Sequence, residues 1–311
     1  MNKDIIFLTP VCTHNIWGGT RLNREFGYPI EGDDIGECWG ISAHPNGDGT
    51  VASGAYQGMK LSELWEKHPE LFGDTGMDRF PLLIKIIDAK DDLSIQVHPD
   101  DAYAKVHENG SLGKTECWFI LDCKENATLV VGHNAKSREE LEQMIQEGKW
   151  KEFIREIPIK PGDFIQIDPG TVHAIKGGTL LLETQQSSDI TYRVYDYDRL
   201  SNGKPRQLHI TQSIDVITVP AKSAENSVVH TEKKDDAIQQ LICCPYYTVY
   251  RIDVEHRVET WQDKPFVLMS VVEGEGTLNG TPLKKGDHLI LPDGYGKVEL
   301  QGRMQIIAST I

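Results

Sequence analysis

A chain of 311 residues with 39% hydrophobic and 25% charged side chains can bury a core in one large domain or two modest ones, which excludes a disordered or fibrous protein. Its formal net charge of −15 repels phosphate backbones and anionic lipid, and no run of Lys and Arg offsets it, so neither nucleic acid nor a membrane surface is an expected partner. An anionic small molecule would have to meet cations gathered locally.

Lys3 and Asp4 precede a four-residue apolar run and Pro10, too short for a signal peptide or a spanning helix, so a cytoplasmic protein is expected. Lys60 to Leu71 has helical spacing. Short β-rich runs bounded by Gly, Pro, Asn and Asp follow at Phe80 to Ile87, Cys117 to Leu121 and Thr128 to Val131. Ser137 to Ile154 returns to helical spacing, with Ser137 and Glu140 set as a capping box. Strands are then expected at Phe164 to Ile167 and Thr179 to Glu183. Residues from about Pro220 to Gln239 are polar without periodicity and read as a connection. The division is placed at 225/226, giving a metal-binding catalytic unit over 1–225 and a second unit over 226–311. Further strands are expected at Thr248 to Val254, Val267 to Val272, His288 to Leu291 and Met304 to Ala308. The whole predicts a mainly β protein of sandwiches or barrels with a few added helices. Six cysteines show no Cys-x-x-Cys spacing and are expected to be buried, reduced thiols.

A faint internal repeat supports two units. Gly162-Asp-Phe-Ile-Gln-Ile-Asp-Pro-Gly170-Thr-Val-His173 reads as a turn, a buried strand and a turn presenting a histidine. Gly286-Asp-His-Leu-Ile-Leu-Pro-Asp-Gly294-Tyr-Gly-Lys297 has the same glycine and apolar spacing, with Lys297 in the place of His173. The first unit therefore keeps a site that the second lacks.

Residues two apart on a strand share a face, so Gln96 and His98 can converge. Glu116, entering the next strand, and His173, from the turn after Ile167, complete a set of two imidazoles, a carboxylate and an amide. Each has an ordinary structural role when taken singly. Together they suit an open catalytic zinc site, and the same donors would accept Mn, Fe or Co.

Ser94-Ile-Gln96-Val-His98-Pro-Asp-Asp, Gly113-Lys-Thr-Glu116-Cys-Trp, Asp168-Pro-Gly-Thr-Val-His173-Ala and Gln186-Ser-Ser-Asp-Ile-Thr-Tyr-Arg193-Val-Tyr-Asp-Tyr-Asp stand in that order. In these segments, and in Asn15-Ile-Trp17-Gly-Gly and Leu208-His209, the chain resembles the type I phosphomannose isomerases in their short bacterial form, specifically over Met1 to Val219 and in outline beyond. The resemblance implies a cupin fold, here two cupin-like β-barrels or jelly rolls. It also implies one Zn2+ per chain held by Gln96, His98, Glu116 and His173, with Arg193 as an active-site cation and a phosphorylated hexose as substrate. Longer members carry His-Lys-Pro-Glu where this chain has Gly113-Lys114-Thr115-Glu116, so any role of that histidine is absent here or falls elsewhere.

Interconverting mannose 6-phosphate and fructose 6-phosphate moves hydrogen between C1 and C2, which calls for a Lewis acid and acid–base groups. Glu183 and Lys114 are the side-chain candidates. Glu183 and Arg193 flank the Ser187-Ser188-Asp189 turn and can return to one cavity, while Lys85, alternating with Ile84 and Ile86, can point into the barrel if it has an anionic partner. Trp17, Ser94 and Tyr192 are further candidates for the sugar pocket. Two competing readings remain at this point: an iron-dependent cupin oxygenase, whose facial site also uses two histidines and a carboxylate, and a non-catalytic sugar-binding cupin.

Overall fold

The computed structural model describes residues 4–223 and 227–311; Met1 to Lys3 and the 225/226 division lie outside the described residues. Every strand predicted above is present in a mainly antiparallel β architecture with six α-helices among the described residues. A seven-stranded sheet runs in the order 228–230, 163–167, 116–123, 179–186, 82–89, 11–19, 35–41. It faces a five-stranded sheet ordered 192–195, 95–97, 173–174, 128–133, 154–158. Between them pack Trp118, Ile120, Ile165 and Leu181 from the first sheet against Leu129, Val131 and Ile157 from the second. The central strands Leu82–Ala89 and Thr179–Gln186 are buried at every position; the first reads as a nearly continuous apolar run, while the second also buries Glu183, Thr184, Gln185 and Gln186.

The C-terminal strands form a nine-stranded sheet, and Ile6–Thr9 joins it: Ile6 lies opposite Ile290 and Leu8 opposite His288. The apolar run near the N-terminus thus serves as a strand of the other barrel. The two barrels share a core in which Trp65, Phe72 and Phe80 surround Phe266, with ring centroids 4.9–6.0 Å apart. Each such buried ring contributes about 2–3 kcal/mol.

The repeat appears as a repeated turn. The Lys160 N–H donates to Asp163 Oδ2 at 2.9 Å, and the Lys284 N–H donates to Asp287 Oδ2 at 2.8 Å. Gly162 and Gly286, at φ +89° and +94°, supply the left-handed residue that each turn requires. Lys297, however, is exposed on the outside of its barrel, paired with Glu259 at 2.8 Å.

Both helical segments divide. Lys60 to Leu71 becomes the helix Leu61–Lys67 and the 3-10 turn Pro69–Phe72, because Pro69 has no N–H with which to continue the helix. Ser137 caps Arg138–Gln146 by accepting from the Glu140 N–H at 3.2 Å, whereas the Glu140 carboxylate accepts from Lys136, one residue earlier than a capping box requires. Gly148 then separates this helix from Trp150–Phe153. The cysteines are free, but the expectation that all are buried is corrected: Cys38 and Cys117 are, while Cys243 is exposed and the others are half-buried. No helix among the described residues is long and apolar enough to cross a membrane.

Candidate active site

Strand register assembles the site from both sheets of the first barrel. On the seven-stranded sheet, Glu183 lies opposite Lys85 on one side and Trp118 on the other, and Lys85 lies opposite Trp39. Directly opposed residues share a face, so these four side chains form one row, with Glu116 two residues from Trp118 on the same face. On the facing sheet, Gln96 lies opposite both His173 and Arg193. His98 follows Gln96 by two residues and keeps its side. The two rows meet across the barrel interior.

His98, Glu116 and His173 bring their ligand atoms within 4.8 Å of one another, and this is the one such group of His, Cys, Asp and Glu among the described residues. Glu116 stands 3.3 Å from Nε2 of each histidine, yet neither contact has hydrogen-bond geometry. Nε2 of both imidazoles and both Glu116 oxygens are buried without hydrogen-bond partners. Buried polar atoms otherwise find partners, so converging lone pairs left unpaired fit a metal-ligand set. The Nδ1–H of His173 donates to the Thr171 carbonyl at 2.8 Å, which fixes the tautomer and leaves Nε2 with the lone pair turned inward. Burial, with the Lys114 charge nearby, lowers His98 to about 3, and burial likewise lowers His173, so both imidazoles are neutral at pH 7. Burial pushes Glu116 up, but opposing influences led by the Lys114 ammonium, at 3.2 Å, outweigh it and hold the carboxyl well below its usual range.

Beside this group is a second charged cluster. The Trp118 indole N–H donates to Glu183 Oε2 at 2.9 Å, and Lys85 Nζ is 3.3 Å from Glu183 Oε1 and 3.8 Å from Glu37. Burial, reinforced by the Glu116 charge and opposed by Lys85, raises the Glu183 pKa. Burial also works against the Lys85 ammonium, but Glu37 and Glu183 prevail and keep it charged. The anionic partner that an inward Lys85 requires is therefore present.

Trp17, Ser94, Gln96, Lys114, Glu183 and Arg193 line one cavity of about 170 Å³, and Lys85 reaches it beneath the Trp39 ring. Tyr192 does not: it sits beside Arg193 on the strand, and alternation turns it to the opposite face, where its hydroxyl donates to Glu108. Sequence reasoning missed Glu37, Trp39 and Arg206, which also line the cavity. Glu37 and Trp39 share a face of Ile35–Ile41, but burial of nearly the whole strand hides the alternation that would have exposed it. Trp39 donates to Glu37 at 2.8 Å, fixing the carboxylate beside Lys85.

Residues 5–119 match the family description phosphomannose isomerase type I, catalytic domain, and residues 237–311 match mannose-6-phosphate isomerase, cupin domain. The chain is 50% identical over 314 residues to mannose-6-phosphate isomerase ManA of Bacillus subtilis (strain 168), covering 99% of each. It is 48% identical over 309 residues to mannose-6-phosphate isomerase of Streptococcus mutans, covering 98% of this chain and 97% of that one. It superposes on the crystal structure of the mannose 6-phosphate isomerase from Bacillus subtilis with a TM-score of 0.92 at 49% identity, over 99% of both chains. A variant of the phosphomannose isomerase from Salmonella typhimurium gives 0.80 at 15% identity over 98% of both, a likeness of fold alone. With a relative 50% identical over 99% of both chains, the chain belongs to the type I phosphomannose isomerase family.

Proposed function

We propose that the protein is a zinc-dependent aldose–ketose isomerase that interconverts mannose 6-phosphate and fructose 6-phosphate in the cytoplasm. The observation that carries this reading is the unpaired, buried His98–Glu116–His173 group, whose Glu116 is 3.2 Å from Lys114, next to the cavity that Lys114, Gln96 and the Glu183–Lys85 pair line. His98, Glu116 and His173, with the Gln96 amide, would hold the ion, one per chain, and the second barrel would be structural and metal-free. Two imidazoles, a carboxylate and an amide suit zinc. When bound, zinc supplies a Lewis acid for the C1 and C2 oxygens of the sugar, worth several kcal/mol in a dry site.

The chain's own groups supply the rest. Glu183, with a pKa raised toward the operating pH, takes the proton from one of C1 and C2 and returns it to the other. Trp118 and Lys85 hold its carboxylate in place. The Lys114 ammonium stands beside Glu116, where it can donate to a sugar oxygen, and Arg193 brings a cation to the anionic substrate. Trp17 and Ser94 shape the wall against which the sugar rests.

The test is isomerisation of mannose 6-phosphate by the purified protein before chelation, after it, and after zinc is restored. Activity that disappears and returns with zinc, at about one zinc per chain, is the expected result. A zinc-loaded protein without turnover overturns the reading, and two zinc ions per chain overturn the assignment of the second barrel.

A further inference from the structure

The cavity has a cationic end that the isomerisation chemistry leaves unexplained. Lys85 and Lys114 each lie within 4 Å of carboxylates, so their charges are balanced where they stand. The balance fails around Asp196. Arg206 donates to Asp196 through Nε at 2.7 Å and Nη2 at 2.6 Å, and Arg199 Nη2 donates to the same carboxylate at 2.6 Å. Arg193 stands close enough that, after burial, the Arg206 charge is the largest influence lowering its pKa. Three guanidinium groups thus gather around one carboxylate in a chain whose net charge is −15.

Arg199 faces away: it donates to the Asp92 backbone carbonyl and does not line the cavity. Arg193 and Arg206 do line it. Arg193 Nη1 is taken by the Gln207 carbonyl at 2.8 Å, but its buried Nε has no partner. Arg206 spends Nε and Nη2 on Asp196 and keeps Nη1 free of any partner among the described residues. The carboxylate of Asp189, also on the cavity wall, is engaged by Asn46 and His44 at the rim.

Register places this end relative to the metal ligands. Tyr195 pairs with Ile95, so Asp196 lies at the level of Ser94. Ser94 is two residues from Gln96 and four from His98, on the side away from the histidine. At about 3.3 Å per residue Asp196, which holds Arg206, is some 7 Å along the strand from the Gln96 row, in which Arg193 stands. That is the reach of a six-carbon sugar from its carbonyl end to its terminal substituent. We propose that Arg206, braced by Asp196 and beside Arg193, receives the phosphate group of the substrate, so that phosphate and reacting carbons occupy opposite ends of one cavity.

This rests on the sugar-phosphate reading above. A phosphate brings about −1.5 to −2 charges and acceptor oxygens that suit guanidinium forks. The experiment compares Arg206→Gln, Arg206→Lys and Arg199→Gln in the zinc-loaded protein. Arg199→Gln removes an ion pair from Asp196 without touching the cavity, so it reports any purely structural effect. Arg206→Gln should raise KM for mannose 6-phosphate about 30-fold with kcat within about fivefold, the size expected for a charged hydrogen bond. Arg206→Lys should recover part of that loss, and Arg199→Gln should keep KM within about threefold of wild type. Calorimetric titration with inorganic phosphate should show the same order of affinities. Arg206→Gln with unchanged KM and phosphate affinity, or equal rises in KM for Arg206→Gln and Arg199→Gln, overturns the proposal. A wild-type protein without turnover would defeat the isomerase reading, while the phosphate titration would still decide the role of Arg206.

Discussion

Gly113 stands where longer members of the family, by resemblance of the motif, carry histidine. A Cβ there would lie 2.4 Å from the Asp100 carbonyl carbon and the Asp101 nitrogen, backbone atoms at the start of the helix Asp101–His107. The segment can therefore pass the helix only as glycine, and Gly113→Ala should cost about 1–3 kcal/mol through overpacking. Thermal melting should show the loss, and kcat should fall as well because Lys114 and Glu116 follow immediately. Melting at the wild-type temperature would contradict this account. Glu183 makes the sharper prediction. Glu183→Gln retains the shape and the Trp118 contact but cannot take a proton, so kcat should fall by about 10²–10⁴ with zinc content unchanged. A variant keeping more than a tenth of kcat would remove Glu183 from proton transfer. At this scale the convergence of His98, Glu116 and His173 was legible because Gln96-x-His98 obeys strand alternation. Glu37 and Arg206 were not, since one lies within a strand buried on both faces and the other beside a short exposed hairpin, Leu200–Ser201 with Lys204–Pro205.

Among the elements, strands with uninterrupted apolar runs were read nearly to their ends, and those with polar or glycine-rich sequence were not. Val11–Gly19 contains Thr13, His14 and Asn15, and its register with Ile35–Ile41 shifts twice, so it has no clean period of two. Ile95–Val97 and His173–Ala174 are too short for any window to find, though Gln96 lies on one and His173 on the other. The helices were located by spacing and misjudged in extent, Pro69 and Gly148 ending turns that the apolar pattern carries onward. Ser137 offers a test confined to one element. Ser137→Ala removes the acceptor for the Glu140 N–H and should lower stability by about 1 kcal/mol, read from denaturant unfolding. KM and kcat should stay at wild-type values, and a change in either would tie the helix Arg138–Gln146 to the cavity in a way its position does not suggest.

Across the whole molecule the barrels are joined by buried contacts of both apolar and polar kinds. His288, from the second barrel, is held between the Tyr28 hydroxyl at 2.7 Å and Ser270 Oγ at 2.8 Å. Burial lowers its pKa to about 3, below the value near 6.5 of an unfolded imidazole. The unfolded chain therefore binds the proton first, and this contribution to stability is full above about pH 6.5 and drains as the pH falls toward 3. The melting temperature should drop more steeply between pH 6.5 and 4.5 in wild type than in His288→Asn, and equal slopes would exclude His288 as the sensor. The two-barrel, mainly β fold was legible, but the joining of Ile6–Thr9 to the C-terminal sheet was not, because that segment has no local signal naming its partner. That joining also sets an order of events during synthesis. The Ile6–Thr9 segment leaves the ribosome long before His288–Leu291 exists to pair with it. At about 5–20 residues per second the wait is on the order of half a minute. Until then Ile6–Thr9 can pair with Thr50–Val51 along one edge while its other edge stays open, so strands made late complete a sheet begun early.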